Sequence, residues 1–157
     1  MDDAPDRSTF RARLFEVLDE AMRVDAAVCG KICTVDGDQL RLEVQRGLSK
    51  HSAERLARLK NGDPYACARA KQLARRVVIP DIRRDPQGGP YEVLGPSEGF
   101  KAVQSTPIVG SDGSVIGTLS THYSQAYSPS RAASLVLDYC ARRAASLIES
   151  FRPLPGQ

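Results

Sequence analysis

Apolar residues at Phe10, Leu14, Val17, Leu18 and Met22 recur in steps of three and four, the spacing of one helical stripe. Ser8 stands where a cap belongs and Asp25 where the stripe ends. Residues 26–35 then form an apolar, β-branched run, which predicts a strand. Asp36-Gly37-Asp38 is a tight-turn signal, and beyond it Leu40, Leu42 and Val44 alternate with Arg41, Glu43 and Gln45. Together these segments predict a hairpin.

The period returns to helical over 49–60, with His51 near the start and Leu56 and Leu59 facing inward, until Asn61-Gly62-Asp63-Pro64 breaks it. Good helix formers over 65–74 predict a short helix carrying Cys67, and Val77-Val78-Ile79 is a brief strand stopped by Pro80. A loop rich in proline, glycine and charge follows. Two further strands, 100–109 and 114–123, flank Gly110-Ser111-Asp112-Gly113, and 131–151 is the longest helical pattern, opening after Pro129.

Hairpins dominate this order and no repeated strand–helix alternation appears. The fold class expected is α/β of the α+β kind, an antiparallel sheet with helices packed on it. Neither a long linker nor a repeat divides the chain. Residues 1–9 read as a loose N-terminus, 10–151 as a single domain and 152–157 as a tail.

Composition narrows the function classes. The 157 residues are 41% hydrophobic and 26% charged, globular rather than disordered, and large enough to bury a core without metal or disulfide staples. The net charge of +3 is spread in alternating sign. Arg75-Arg76, Arg83-Arg84 and Arg142-Arg143 are isolated pairs, not the basic stripe that neutralises several phosphates of a nucleic acid. No apolar run approaches the roughly 20 residues that span a bilayer, and Met1 to Arg13 has no hydrophobic stretch of the signal-peptide kind. Cys29, Cys33, Cys67 and Cys140 read as reduced thiols, so the expected location is cytoplasmic. The sequence has no nucleophile elbow, P-loop, dinucleotide fingerprint or zinc signature, and no catalytic or metal residues are assigned from it.

The segments Gly99-Phe-Lys-Ala-Val-Gln-Ser-Thr-Pro-Ile and Gly113-Ser-Val-Ile-Gly-Thr-Leu-Ser-Thr-His resemble the penultimate and last strands of GAF domains of bacterial signalling proteins. Val78-Ile79-Pro80-Asp81-Ile82 resembles the short strand that ends in an Asp-Ile pair, and Ala141-Arg-Arg-Ala-Ala-Ser-Leu-Ile-Glu the closing helix. The likeness runs from Phe10 to Phe151. It implies a central antiparallel sheet with the terminal helices on one face and a small-molecule pocket on the other. It further implies a sensory or regulatory role and a homodimer through the helices Arg131–Phe151 and 10–22. The signal would pass to an output protein such as a histidine kinase, with no output domain in these residues. The cofactor is left unknown. Covalent bilin is not expected, because no cysteine falls between Pro90 and Gly99.

Strand alternation assigns the faces. Ile116, Thr118, Ser120 and His122 share one side of the last strand, and Val103 and Ser105 one side of the strand before it. Val103, Ser105, Ser120 and His122 match the ligand-lining face of related photoreceptor domains and are expected to bind a small anionic or polar planar ligand. His122 is expected to change charge near neutral pH. Asp81, Arg84 and Tyr91 are expected to approach the same cavity from loops, and Cys67 from a helix start that favours a thiolate.

Two alternatives accompany this reading. One is a dimerisation module with an empty pocket. The other is an enzyme resembling the branch of this fold that reduces free methionine sulfoxide. That branch's Gly-Pro-Phe-Gln-Gly segment is missing here, and Cys29 and Cys33 fall early, on the first strand.

Overall fold

The computed structural model describes residues 6–86 and 99–151. Asp6 caps the first helix, α1 (Arg7–Arg23), its carboxylate accepting from the Thr9 amide at 2.8 Å. The cap therefore lies two residues before Ser8, which is itself helical. The strands β1 (Cys29–Asp36) and β2 (Gln39–Arg46) form the expected hairpin, with Gly37 at φ +64° in its turn. Next come α2 (Lys50–Arg55), β3 (Arg58–Lys60), α3 (Ala66–Leu73), β4 (Val77–Ile79) and a 3₁₀ turn at Ile82–Arg84. The long hairpin β5 (Ala102–Val109) and β6 (Val115–Tyr123) precedes the last helix, α4 (Arg131–Phe151).

Among the described residues six strands form one sheet in the order β3-β2-β1-β6-β5-β4, every neighbouring pair antiparallel. The pattern over 49–60 is not one helix. Leu56 caps α2, and Arg58–Lys60 pairs instead with the edge of β2, Leu59 lying opposite Leu40. Leu56 and Leu59 are buried either way, so hydrophobic spacing alone does not separate the two solutions.

The terminal helices cover one face. Phe10, Leu14, Val17 and Leu18 of α1 pack with Leu137, Cys140, Ala144 and Ile148 of α4 over Ile32, Val44, Ile108 and Leu119 of the sheet. Phe10 and Phe151 stack with ring centres 4.3 Å apart. The inward stripes of these two helices, through which a homodimer is expected, are used in this chain's own core. A register shift beside Ile32 and Cys33 leaves Glu43 as an extra residue in β2, so Leu40 and Val44 fall into opposite cores despite their even spacing. A second shift at Ile108 and Val109 turns Ile116 toward the helix core, away from the face its spacing gives it. Gly117 permits close strand approach, since a Cβ there would lie 2.4 Å from the Cys33 carbonyl oxygen.

Glu43 uses its displaced position to join three elements. Its buried carboxylate accepts from Arg7 of α1 at 2.9 Å, from Arg41 at 2.9 Å and from the Thr34 hydroxyl at 2.8 Å. Arg7 and Arg41 can turn to water, but Thr34 is buried and cannot. Glu43→Ala is therefore expected to cost about 1–3 kcal/mol. In urea it should lower the unfolding midpoint while leaving the dependence on denaturant unchanged.

Candidate functional site

The face away from the terminal helices is built by the alternate residues of β1. Cys29, Lys31 and Cys33 stand opposite His122, Ser120 and Thr118 of β6. Across β6, His122 pairs with Val103 and Ser120 with Ser105 of β5. Ile79 of β4 closes the row beside Val103. The helix α3 lies over this face and brings Cys67, its second residue, into the same core as Cys29, Cys33 and Val103.

Lys31 is 2% exposed, at the centre of the sheet. Its Nζ donates to Cys67 Sγ at 2.9 Å and lies 3.7 Å from Cys33 Sγ. The Cys33 thiol beside it, the Lys31 charge and the Ala68 amide together hold the Cys67 thiol down at about 6, against the opposing effect of burial. The neighbouring Cys67 sulfur and burial push the Cys33 thiol well above the usual range. Cys67 is thus the stronger acid of the pair and Cys33 the weaker.

His122 is 1% exposed, and neither ring nitrogen has a hydrogen-bond partner among the described residues. The Phe100 ring meets it edge-on at 4.4 Å. The charge change expected near neutral pH does not occur there. Burial, with the Lys31 charge added, pushes His122 down to about 3, so its imidazole is neutral at physiological pH. The Thr118 hydroxyl is likewise buried without a partner among the described residues, whereas Ser105 and Ser120 satisfy each other at 2.9 Å.

Of the residues singled out in the sequence, Val103, Ser105, Ser120, His122 and Cys67 come together on this face. Asp81 and Arg84 do not join them. The Asp81 carboxylate caps the 3₁₀ turn and pairs with Arg83 at 3.0 Å, while the Arg84 side chain is 89% exposed. Both border a separate surface cleft of about 620 Å³, divided from the buried group by Ile79. Tyr91 lies outside the described residues. Lys31, Cys33 and Thr118 were not singled out. The available signal was a lysine inside an otherwise apolar strand, which needs a buried partner if the strand is covered on both faces.

No protein-family model and no curated protein sequence matches the chain. Solved structures do. A GAF domain/HD domain protein from Geobacter sulfurreducens superposes with a TM-score of 0.70 at 13% identity, over 94% of this chain and 98% of that one. The chain has the GAF fold. A second likeness is to a domain of a protein described as a two-component sensor histidine kinase from Sinorhizobium meliloti. Its TM-score is 0.72 at 18% identity, over 88% of this chain and 90% of that one. A third is to the type II free methionine-R-sulfoxide reductase from Thermoplasma acidophilum, with TM-score 0.75 at 17% identity, over 92% of this chain and 96% of that one. Proteins named as a sensor kinase and as a reductase thus both superpose on this chain, and the fold alone does not give its function.

The lowered thiol of Cys67 has a measurable signature. Thiolate absorbance or alkylation should titrate at Cys67 near pH 6, and Lys31→Met should move that midpoint upward by roughly one to three units. Because the folded thiol is the stronger acid, its contribution to stability is complete above the unfolded value near 9 and is lost as pH falls through about 6.

Proposed function

We propose that this chain is a small-molecule sensory domain that receives its ligand on the sheet face bearing Lys31, Ser105, Ser120 and His122. The supporting observation is the imidazole of His122, buried with both nitrogens unpartnered among the described residues. An unsatisfied buried polar group costs about 1–3 kcal/mol, a cost that a bound ligand's hydrogen bond would remove. Lys31 supplies positive charge to the same face, and neutral His122 offers one donor and one acceptor. This pairing suits a small planar anion, such as a carboxylate, held against the apolar wall of Val103 and Phe100.

The cluster is closed in this structure, with Cys67 and His122 each 1% exposed. Entry of a ligand requires the buried face to open, which gives binding a conformational consequence of the kind a sensor needs. Native mass spectrometry of the purified protein should find a co-purified small molecule. A thermal-shift panel of small carboxylates should raise the melting temperature. His122→Ala should weaken the best of them by about 1–2 kcal/mol, on the order of 5- to 30-fold. No ligand in either experiment would reduce the domain to an interaction module.

The proposal includes self-association through the terminal helices. Their inward stripes are used in the core, but Leu135, Val136 and Tyr139 remain exposed on one side of α4, at 62%, 39% and 49%. Light scattering should show a dimer that Leu135→Glu converts to monomer with an unchanged melting temperature.

A reductase reading is favoured by one specific observation: Cys33, although early in the chain, stands beside Cys67, so two cysteines meet at the site after all. Turnover of free methionine-R-sulfoxide by the wild type, lost in Cys67→Ser, would establish it.

A further inference from the structure

We propose that Cys33 and Cys67 form a reversible disulfide, with Cys67 as the sulfur that hydrogen peroxide oxidises first and Cys33 as the sulfur that resolves it. Both sulfurs lie within reach of one ammonium nitrogen, Lys31 Nζ, at 3.7 and 2.9 Å. They also belong to one buried cluster, Cys33 from β1 and Cys67 from α3. No other thiol competes. The Cys29 thiol donates to the Gly47 carbonyl at 3.4 Å, and Cys140 lies on the opposite side of the sheet within the helix core.

The chemistry closes with the groups present and a hydroperoxide. The Cys67 thiolate attacks one peroxide oxygen. An S–O bond forms as the O–O bond breaks, and the departing hydroxide takes up a proton to leave as water. Cys67 is then a sulfenic acid. Cys33 gives up its proton, helped by the Lys31 charge at 3.7 Å, and its sulfur attacks Cys67. The S–S bond forms, the S–O bond breaks, and the leaving hydroxide combines with the proton from Cys33 as a second water. Two thiols have lost two electrons and two protons, and the peroxide has become two waters. A dithiol returns both electrons by exchange through a mixed disulfide.

Burial sets the selectivity. Cys33 and Cys67 are 0% and 1% exposed, so the oxidant is confined to molecules near the size of hydrogen peroxide. Oxidation also changes the site electrically. The thiolate beside Lys31 disappears, and that face becomes more positive by one charge. The consequence for ligand affinity rests on the proposed ligand site, whereas the disulfide itself requires no ligand.

The test uses ligand-free wild-type protein treated with hydrogen peroxide. Intact mass should fall by about 2 Da, peptide mapping should place the bridge between Cys33 and Cys67, and a dithiol should reverse both. Cys33→Ser should instead accumulate a dimedone-reactive sulfenic acid at Cys67, and Cys67→Ser should retain a free Cys33. Lys31→Met should slow loss of the Cys67 thiol at neutral pH by about 10-fold or more. A bridge to Cys29 or Cys140, over-oxidation of Cys67 with Cys33 still free, or no thiol loss would each overturn the proposal. The wild-type map decides the matter even where a variant fails to fold. A positive map with an empty pocket would leave the disulfide standing and the ligand reading fallen.

Discussion

Burying an ammonium group in the middle of a sheet costs several kcal/mol unless opposite charge and hydrogen-bond acceptors come with it, and Lys31 meets that condition through the Cys67 sulfur at 2.9 Å. Much of the buried face beneath α3 follows from this contact. Cys67 must stand at the start of α3, where the Ala68 amide adds to the stabilisation of its thiolate. Cys33, two residues along β1 from Lys31, then points to the same place and completes the group. The neutral state of His122 is a further consequence, because a second positive charge beside Lys31 in the same dry space is disfavoured twice over.

The two faces of the sheet manage polar groups in different ways. On the helix side each buried polar chain is closed. Arg76 donates to Thr106, Thr106 to Gln104, and Gln104 to Thr121, which also bonds Tyr123. Arg76 is in turn paired with Asp138 of α4. Such closure locks the helix α4 to β5 and leaves no polar group in the chain for a ligand to satisfy. On the face beneath α3 the side chains of His122 and Thr118 are left without partners among the described residues. Buried polar groups are ordinarily satisfied, so this is the face on which the sheet departs from the rule.

Where local periodicity and tertiary packing agree, the sequence was readable. The stripe Phe10, Leu14, Val17, Leu18 gives α1, and the alternation in 114–123 puts Ser120 and His122 on one face and Leu119 and Thr121 on the other. It failed at features that one extra residue decides. The bulge at Glu43 reverses the face of Val44, the shift beside Val109 turns Ile116 around, and the edge pairing of Arg58–Lys60 captures what reads as the end of a helix. The site was half legible for a related reason. His122 and Ser105 lie on adjacent paired strands, so alternation places them together. Cys33 and Cys67 meet only through the packing of α3 on β1, a contact that no local period reports. Asp81 and Arg84 were assigned to the pocket by loop proximity, and the capping demand of the 3₁₀ turn takes Asp81 away.

The face carrying the thiol cluster and the anchor of α1 are nevertheless separated by a single peptide unit of β1. Cys33 points to the thiol cluster, while Thr34 points the other way and donates to Glu43, which accepts from Arg7 at the start of α1. The Cys33 carbonyl is also the group that Gly117 allows to approach β6 so closely. Beside Cys33 the pairing with β2 is irregular, because the bulge at Glu43 falls there, and the partners of Glu43 include two arginines that can turn to solvent. Sheet alternation thus places the thiol cluster on one face of β1 and the anchor of α1 on the other, one residue apart.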